Sequence, residues 1–139
     1  MTYRINEIFE TLQGEGTFTG VPSIFIRLQG CPVGCPWCDT QHTWDVKQED
    51  QVSVATMMAK SEATSEWAEM SSADIVELIT QRGYRAKHVV ITGGEPAMYD
   101  LRELGEVLEA QGMRLQIETS GTYALLITAG TWVTVSPKL

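Results

Sequence analysis

The chain has 139 residues, of which 43% are apolar and 20% charged, with a formal net charge of −8. This composition is typical of one globular domain and excludes a disordered chain. The acidic excess argues against nucleic-acid binding, which needs clustered Lys and Arg. No run approaches the ~20 apolar residues of a membrane span, and the N-terminus lacks the layout of a secretory signal. We therefore expect a cytoplasmic protein.

The first half of the chain predicts one buried strand and one surface segment. Residues 23–30 form an apolar run that is rich in β-formers and ends at a glycine, which is typical of a strand buried on both faces. Residues 43–70 are polar and weakly patterned. We expect them to form a surface insertion within the domain 1–139, helical in part around the short apolar patch at 52–59.

The second half predicts alternating helices and strands. Residues 71–74 and 100–103 resemble capping boxes, each followed by apolar residues at helical spacing, with Gly83 and Gly112 placed to end the two helices. Residues 88–92 predict another buried strand, and residues 114–118 and 132–135 predict a third and a fourth strand.

Alternating strands and helices imply an α/β fold with a mainly parallel sheet, whose strand C-termini share one edge. Four polar or glycine-rich segments follow the predicted strands, at residues 31–38, 93–96, 118–121 and 136–138. Because ligands bind at this edge in parallel α/β folds, we expect the functional site there.

The three cysteines, Cys31, Cys35 and Cys38, lie within eight residues. Such a cluster indicates metal or redox chemistry, because a disulfide framework spreads an even number of cysteines along a secreted chain. Thiolates select zinc, copper(I) or iron–sulfur clusters. The spacing leaves open a zinc site with His42 as fourth ligand, an iron–sulfur cluster, or an inert set of buried thiols. A cubane cluster normally takes four cysteines, so three leave one iron without a protein ligand. That open position is either a defect or the place where a small molecule chelates.

Three other features at the edge also have ordinary explanations. The Gly-Gly pair at 93–94 either exposes backbone to a ligand or forms only a tight connection. Glu118 and Ser120 either bind hydroxyls or belong to an ordinary turn with a capped carboxylate. Lys138 either meets a carboxylate or is simply solvated.

The cysteine spacing resembles the radical S-adenosylmethionine signature, and Gly-Gly-Glu-Pro resembles the turn that binds the methionyl amino group in that superfamily. Within it, the chain resembles the 7-carboxy-7-deazaguanine synthases of queuosine biosynthesis. The matching segments are residues 7–16, 20–22, 25–31, 37–40, 117–121 and 135–138. The similarity covers nearly the whole chain except residues 43–70.

The resemblance implies a partial (β/α) barrel of the radical S-adenosylmethionine type, truncated after its fourth core strand, because family members continue past Ser-Pro-Lys. Residues that would hold a [4Fe-4S] cluster are Cys31, Cys35 and Cys38. Those that would contact S-adenosylmethionine are Trp37, Cys38, Asp39, Gly94, Ser136, Pro137 and Lys138. Those that would bind the pterin substrate are Leu12, Gln13, Gly14, Arg27 and Thr92. Thr40 would bind a Mg²⁺ ion that meets the substrate carboxylate.

The implied activity is that of a carbon–nitrogen lyase. A radical from the cofactor, rather than a catalytic side chain, would remove a hydrogen atom from 6-carboxy-5,6,7,8-tetrahydropterin, and ring contraction with loss of ammonia would give 7-carboxy-7-deazaguanine. A flavodoxin-like electron donor and a homodimer are expected. The alternatives are another radical S-adenosylmethionine enzyme, such as a glycyl-radical activase, the zinc module with His42, or a truncated chain that folds poorly.

Overall fold

The computed structural model describes residues 2–13, 20–30, 47–62, 64–121 and 124–135. These residues contain six strands and three α-helices, which form an α/β fold. The strands are β1 Thr2–Leu12, β2 Pro22–Leu28, β3 Ala68–Ser71, β4 His88–Gly93, β5 Arg114–Thr119 and β6 Trp132–Val135. The helices are α1 Val54–Met58, α2 Ser72–Gln81 and α3 Arg102–Ala110, and short 3₁₀ turns cover Gln48–Asp50 and Pro96–Met98.

The strands form one sheet in the order β3-β1-β2-β4-β5-β6. The four strands predicted from the sequence, β2, β4, β5 and β6, run parallel to one another, so the predicted mainly parallel sheet is confirmed. Sequence analysis missed β1 and β3, and β1 pairs antiparallel with both β2 and β3. Strand β1 lacks a regular alternation because a bulge at Asn6 shifts its register between Ile5 and Glu7.

The predicted start of α2 is confirmed. The Ser71 hydroxyl accepts a hydrogen bond from the Asp74 amide at 3.1 Å, and the Asp74 carboxylate accepts one from the Ser71 amide at 3.0 Å, which completes a capping box. The predicted capping box at residues 100–103 is wrong. The N-cap of α3 is Leu101, which is buried, and Asp100 instead forms an ion pair with Arg102 at 2.6 Å.

The expectation of a surface insertion at residues 43–70 fails for its C-terminal part. Ala68 and Met70 are buried in β3, which extends the sheet beside β1, and Trp67 and Met57 are also buried. A four-residue strand with one exposed glutamate is too short to show a recognisable alternation, so only its pairing with β1 reveals it. Within the described part of this segment, the predicted helical patch at 52–59 is confirmed as α1.

The main hydrophobic core lies between the sheet and helices α2 and α3. Leu104 and Leu108 of α3 pack in one cluster with Ile75 and Ile79 of α2 and with alternate residues of the strands, including Ile26. This core occupies one side of the sheet.

Among the described residues, no helix is long and apolar enough to cross a bilayer.

Candidate functional site

The side of the sheet opposite the helices, here called the inner face, carries polar and aromatic side chains. Successive side chains of a strand alternate between the two faces, and paired residues on adjacent strands share a face. The pairing registers of β1, β2, β4, β5 and β6 therefore place ten side chains together on this face. They are Glu7, Phe9, Phe25, Arg27, His88, Val90, Thr92, Gln116, Glu118 and Thr134. Val90 is fully buried yet lies outside the main core cluster, which agrees with this division.

Two of the predicted substrate residues, Arg27 and Thr92, are direct partners on neighbouring strands of the inner face. Glu7 pairs with Arg27 from the other side, and the Arg27 Nε donates to the Glu7 carboxylate at 2.7 Å. The two side chains are 17% and 34% exposed, so solvent screens the pair and its main effect is on orientation. This ion pair orients the Arg27 side chain toward β1.

A third predicted substrate residue, Gln13, reaches across the inner face to β5. Its buried side chain donates to the side-chain oxygen (Oε1) of Gln116 at 3.1 Å and to the Glu118 carboxylate at 3.3 Å. Gln116 in turn donates to the Thr134 hydroxyl at 3.0 Å. In contrast, Leu12 is 60% exposed at the end of β1. The structure thus brings Gln13, Arg27 and Thr92 onto one surface and leaves Leu12 at its margin.

At the carboxyl edge of the sheet, the Gly-Gly-Glu-Pro turn packs against the end of β2. The Gly94 amide donates to the Leu28 carbonyl at 3.0 Å, and the Glu95 amide donates to the Gly30 carbonyl at 2.7 Å. A Cβ at Gly94 would lie 1.9 Å from the Gly30 carbonyl oxygen, so no side chain fits there. Because Gly30 directly precedes Cys31, the turn is fixed to the backbone that enters the cysteine segment.

Glu95 lies at the centre of this edge, and sequence analysis assigned it no role. Its carboxylate is buried and accepts hydrogen bonds from the Thr119 hydroxyl at 2.6 Å, from the Ser120 hydroxyl at 2.6 Å and amide at 2.9 Å, and from the Ala97 amide at 2.9 Å. Burial alone would raise the pKa of Glu95, but these hydrogen bonds lower it below the ordinary 4.5. The capped carboxylate of this edge is thus Glu95 rather than Glu118. The only sequence signal was an acidic residue among small residues after a buried strand.

A second unpredicted network secures the chain just before Gly30. Gln29 is fully buried. Its side-chain oxygen accepts a hydrogen bond from the side-chain amide of Asn6 at 2.7 Å, and its backbone carbonyl accepts one from the Tyr99 hydroxyl at 2.8 Å. The Lys60 amine donates to the Asn6 side-chain oxygen at 3.2 Å and to the Glu66 carbonyl at 2.8 Å. Burial lowers the pKa of Lys60, against the raising effect of nearby carboxylates. These contacts connect residues 60–66 to the approach of the cysteine segment.

The remaining predicted site residues lie outside the described residues: Gly14, Cys31, Cys35, Trp37, Cys38, Asp39, Thr40, His42, Ser136, Pro137 and Lys138. Within the described ranges, no group of three or more His, Cys, Asp or Glu side chains is arranged to hold a metal ion. A metal site built from those ranges alone is therefore not present, and the cysteines remain the candidate ligands.

Comparison with known proteins identifies the superfamily of the chain. The model of the radical SAM superfamily matches residues 25–138, which include the cysteines, the C-terminal part of β2 and the whole of β4, β5 and β6. The chain belongs to the radical SAM superfamily. This membership brings the [4Fe-4S] cluster and S-adenosylmethionine as cofactors, and it favours the cluster over the zinc site that the spacing alone left open.

Within the superfamily, the chain is similar to the 7-carboxy-7-deazaguanine synthases. It is 58% identical to the enzyme of Escherichia coli (strain K12) over 139 residues, which are 100% of this chain and 62% of that protein. It is 50% identical to that of Buchnera aphidicola subsp. Schizaphis graminum (strain Sg), of which it covers 64%.

A solved structure shares the same backbone. The crystal structure of QueE from Escherichia coli superimposes with a TM-score of 0.98 at 57% identity, over 100% of this chain and 61% of that one. The chain thus spans somewhat less than two thirds of the length of these relatives. The predicted partial-barrel fold is confirmed for the part described.

Proposed function

We propose that this chain forms the cofactor-binding part of a 7-carboxy-7-deazaguanine synthase, which converts 6-carboxy-5,6,7,8-tetrahydropterin to 7-carboxy-7-deazaguanine. One observation carries the proposal: Gln13, Arg27 and Thr92 share the inner face of a sheet whose carboxyl edge fixes Gly94 against Gly30. The resemblance assigns the first three residues to the substrate and Gly94 to the cofactor. Their convergence from distant parts of the chain supports one site for both.

The residues proposed for the cofactors are compatible with the geometry at the edge. Cys31, Cys35 and Cys38 would hold the cluster, and Gly94 is hydrogen-bonded to the strand end that leads into them. Trp37, Asp39, Ser136, Pro137 and Lys138 would contact S-adenosylmethionine. When bound, the cluster and S-adenosylmethionine supply the one-electron chemistry of the reaction. This chain supplies the position of both groups at the end of the parallel sheet.

The inner face suits a flat, polar heterocycle such as a pterin. Phe9 and Phe25 stack at 5.3 Å with their rings within 5° of parallel, and both are half-buried on this face. They offer an apolar wall beside polar groups that hydrogen-bond, which is the usual composition of a small-molecule site. Arg27 offers charge for the carboxylate of the substrate, and the Gln13 amide can match the amide edge of the ring.

The family resemblance supplies most of the remaining assignments. Leu12 and Gly14 would flank Gln13 at the substrate. Thr40 would bind Mg²⁺, which prefers oxygen ligands and would neutralise the substrate carboxylate. A flavodoxin-like protein would deliver the electron to the cluster, and two copies of the whole protein would form a homodimer. The protein would be cytoplasmic, where thiols are kept reduced. The net charge of −8 agrees with the absence of a nucleic-acid partner.

Anaerobic reconstitution followed by turnover assays tests this proposal. We expect a brown protein with about four iron and four sulfide ions per chain. It should cleave S-adenosylmethionine and form 7-carboxy-7-deazaguanine when the carboxypterin is added. Arg27→Gln should reduce pterin-dependent turnover by about tenfold or more, because it removes a charged hydrogen-bonding group. The matched control Arg82→Gln changes an exposed arginine at the end of α2 and should leave turnover unchanged.

Two outcomes would overturn the proposal. Cofactor cleavage that is indifferent to the carboxypterin but responds to a glycyl-radical protein would assign the chain to the activases. A colourless protein with one zinc ion per chain would support the module of three cysteines and His42.

A further inference from the structure

Glu95 connects the ends of three strands through two different parts of the residue. Its backbone amide donates to the Gly30 carbonyl at 2.7 Å, which fixes it to the end of β2. Its carboxylate accepts hydrogen bonds from Thr119, the last residue of β5, and from Ser120, which follows it. Glu95 itself follows β4. One buried residue thus joins the turn that contains Gly94 to its neighbours on both sides.

The surroundings of the carboxylate require an ionised acceptor. The Oε1 atom accepts from the Ser120 amide and hydroxyl, and Oε2 accepts from the Thr119 hydroxyl and the Ala97 amide. All four groups act as donors, and such charge-assisted bonds are among the strongest in proteins. A glutamine of the same shape would direct its amide protons at one pair of these donors. The site therefore distinguishes glutamate from its neutral isostere.

We propose that Glu95 is a positioning residue for S-adenosylmethionine: its carboxylate sets the position of Gly94 relative to Gly30 and Ser120. The proposal rests on the assignment of Gly94 to the methionyl end of the cofactor. That assignment uses the backbone of the turn, and the proposal adds a role for the side chain next to it. Gly94 has no side chain of its own to fix it, and among the described residues its amide is bonded to the Leu28 carbonyl while the next residue, Glu95, is bonded to Gly30.

A purely structural role is the competing explanation, since a buried carboxylate with four partners also stabilises the fold. The two explanations differ in what they predict for a variant of equal stability. A structural role ties cofactor affinity to overall stability. A positioning role lowers the affinity for S-adenosylmethionine even when the fold is retained, and it loosens the two turns specifically.

The test compares Glu95→Gln and Glu95→Asp with Leu104→Ala, a core variant on the far side of the sheet. Affinity for S-adenosylmethionine is measured on the anaerobically reconstituted protein from the change in the electron paramagnetic resonance signal of the reduced cluster. Hydrogen exchange of peptides covering residues 93–97 and 118–121 is measured on the cluster-free protein. Glu95→Gln should weaken the affinity by about tenfold or more, because it disrupts at least one charge-assisted bond.

Glu95→Asp retains the charge but shortens the side chain, so its affinity should fall between those of the wild type and Glu95→Gln. Exchange in both turns should rise for Glu95→Gln and stay unchanged for Leu104→Ala, whose affinity should remain within about twofold of the wild type. An unchanged affinity of Glu95→Gln would overturn this proposal alone.

Other outcomes separate this proposal from the proposed function. Cofactor binding by the wild type without conversion of the carboxypterin would overturn the proposed function and leave the role of Glu95 intact. A wild-type protein that carries the cluster but binds no S-adenosylmethionine would overturn both.

Discussion

Replacing Gly94 by alanine is expected to disrupt the carboxyl edge of the sheet. The added Cβ would lie 1.9 Å from the carbonyl oxygen and 2.4 Å from the carbonyl carbon of Gly30. Both are backbone atoms, which cannot rotate away as the end of a flexible side chain can. Either the turn or the end of β2 must therefore move by more than an ångström to restore ordinary contact distances.

The size of the effect follows from the two hydrogen bonds that cross this contact. The bond from Gly94 to Leu28 is 3.0 Å long and the bond from Glu95 to Gly30 is 2.7 Å long. Each typical bond contributes about 1 kcal/mol, and a buried group left without a partner costs about 1–3 kcal/mol. Losing or stretching both should lower the free energy of unfolding by about 2–4 kcal/mol.

Urea unfolding followed by circular dichroism measures this change. With a slope of about 2 kcal/mol per molar urea, the midpoint should fall by about 1–2 M. Gly112→Ala is the matched control, since Gly112 has φ +79° and no atom within 4 Å of an added Cβ. It should cost only about 1 kcal/mol, from the left-handed backbone. Equal midpoints for the two variants would refute the argument that the contact with Gly30 determines the effect.

Two further predictions concern the core and the pH dependence of stability. Leu104→Ala should lower the free energy of unfolding by about 2–5 kcal/mol, because Leu104 is fully buried in the main core; a thermal midpoint within about 2 °C of the wild type would contradict this. Because the pKa of Glu95 is lowered in the folded protein, its contribution to stability is present above pH 4.5 and is lost as the pH falls below that value. Between pH 5 and pH 3, the free energy of unfolding measured in urea should therefore fall less for Glu95→Gln than for the wild type. Equal decreases in the two proteins would exclude Glu95 as the titrating group.

Features encoded by neighbouring residues were predicted from the sequence. The start of α2 depends on Ser71 and Asp74, which are three residues apart, and each of the four parallel strands is one short, uninterrupted segment of sequence. The misplaced start of α3 shows the limit of this reasoning. Asp100 has the right composition for a cap, but burial of Leu101 and its hydrogen bond to Leu126 place the helix one residue later.

The sequence by itself indicated the family, because the spacing of three cysteines and the Gly-Gly-Glu-Pro turn are local patterns. Only the tertiary structure decided how the site is assembled. Gln13 meets Gln116 across 103 positions of the chain, Asn6 meets Gln29 across 23, and Glu95 meets Ser120 across 25. A buried polar side chain can be satisfied by any suitable group the fold brings near, so its partner has no fixed spacing in the sequence. Strand β3 and the role of Glu95 therefore became visible only when the sheet order placed their neighbours.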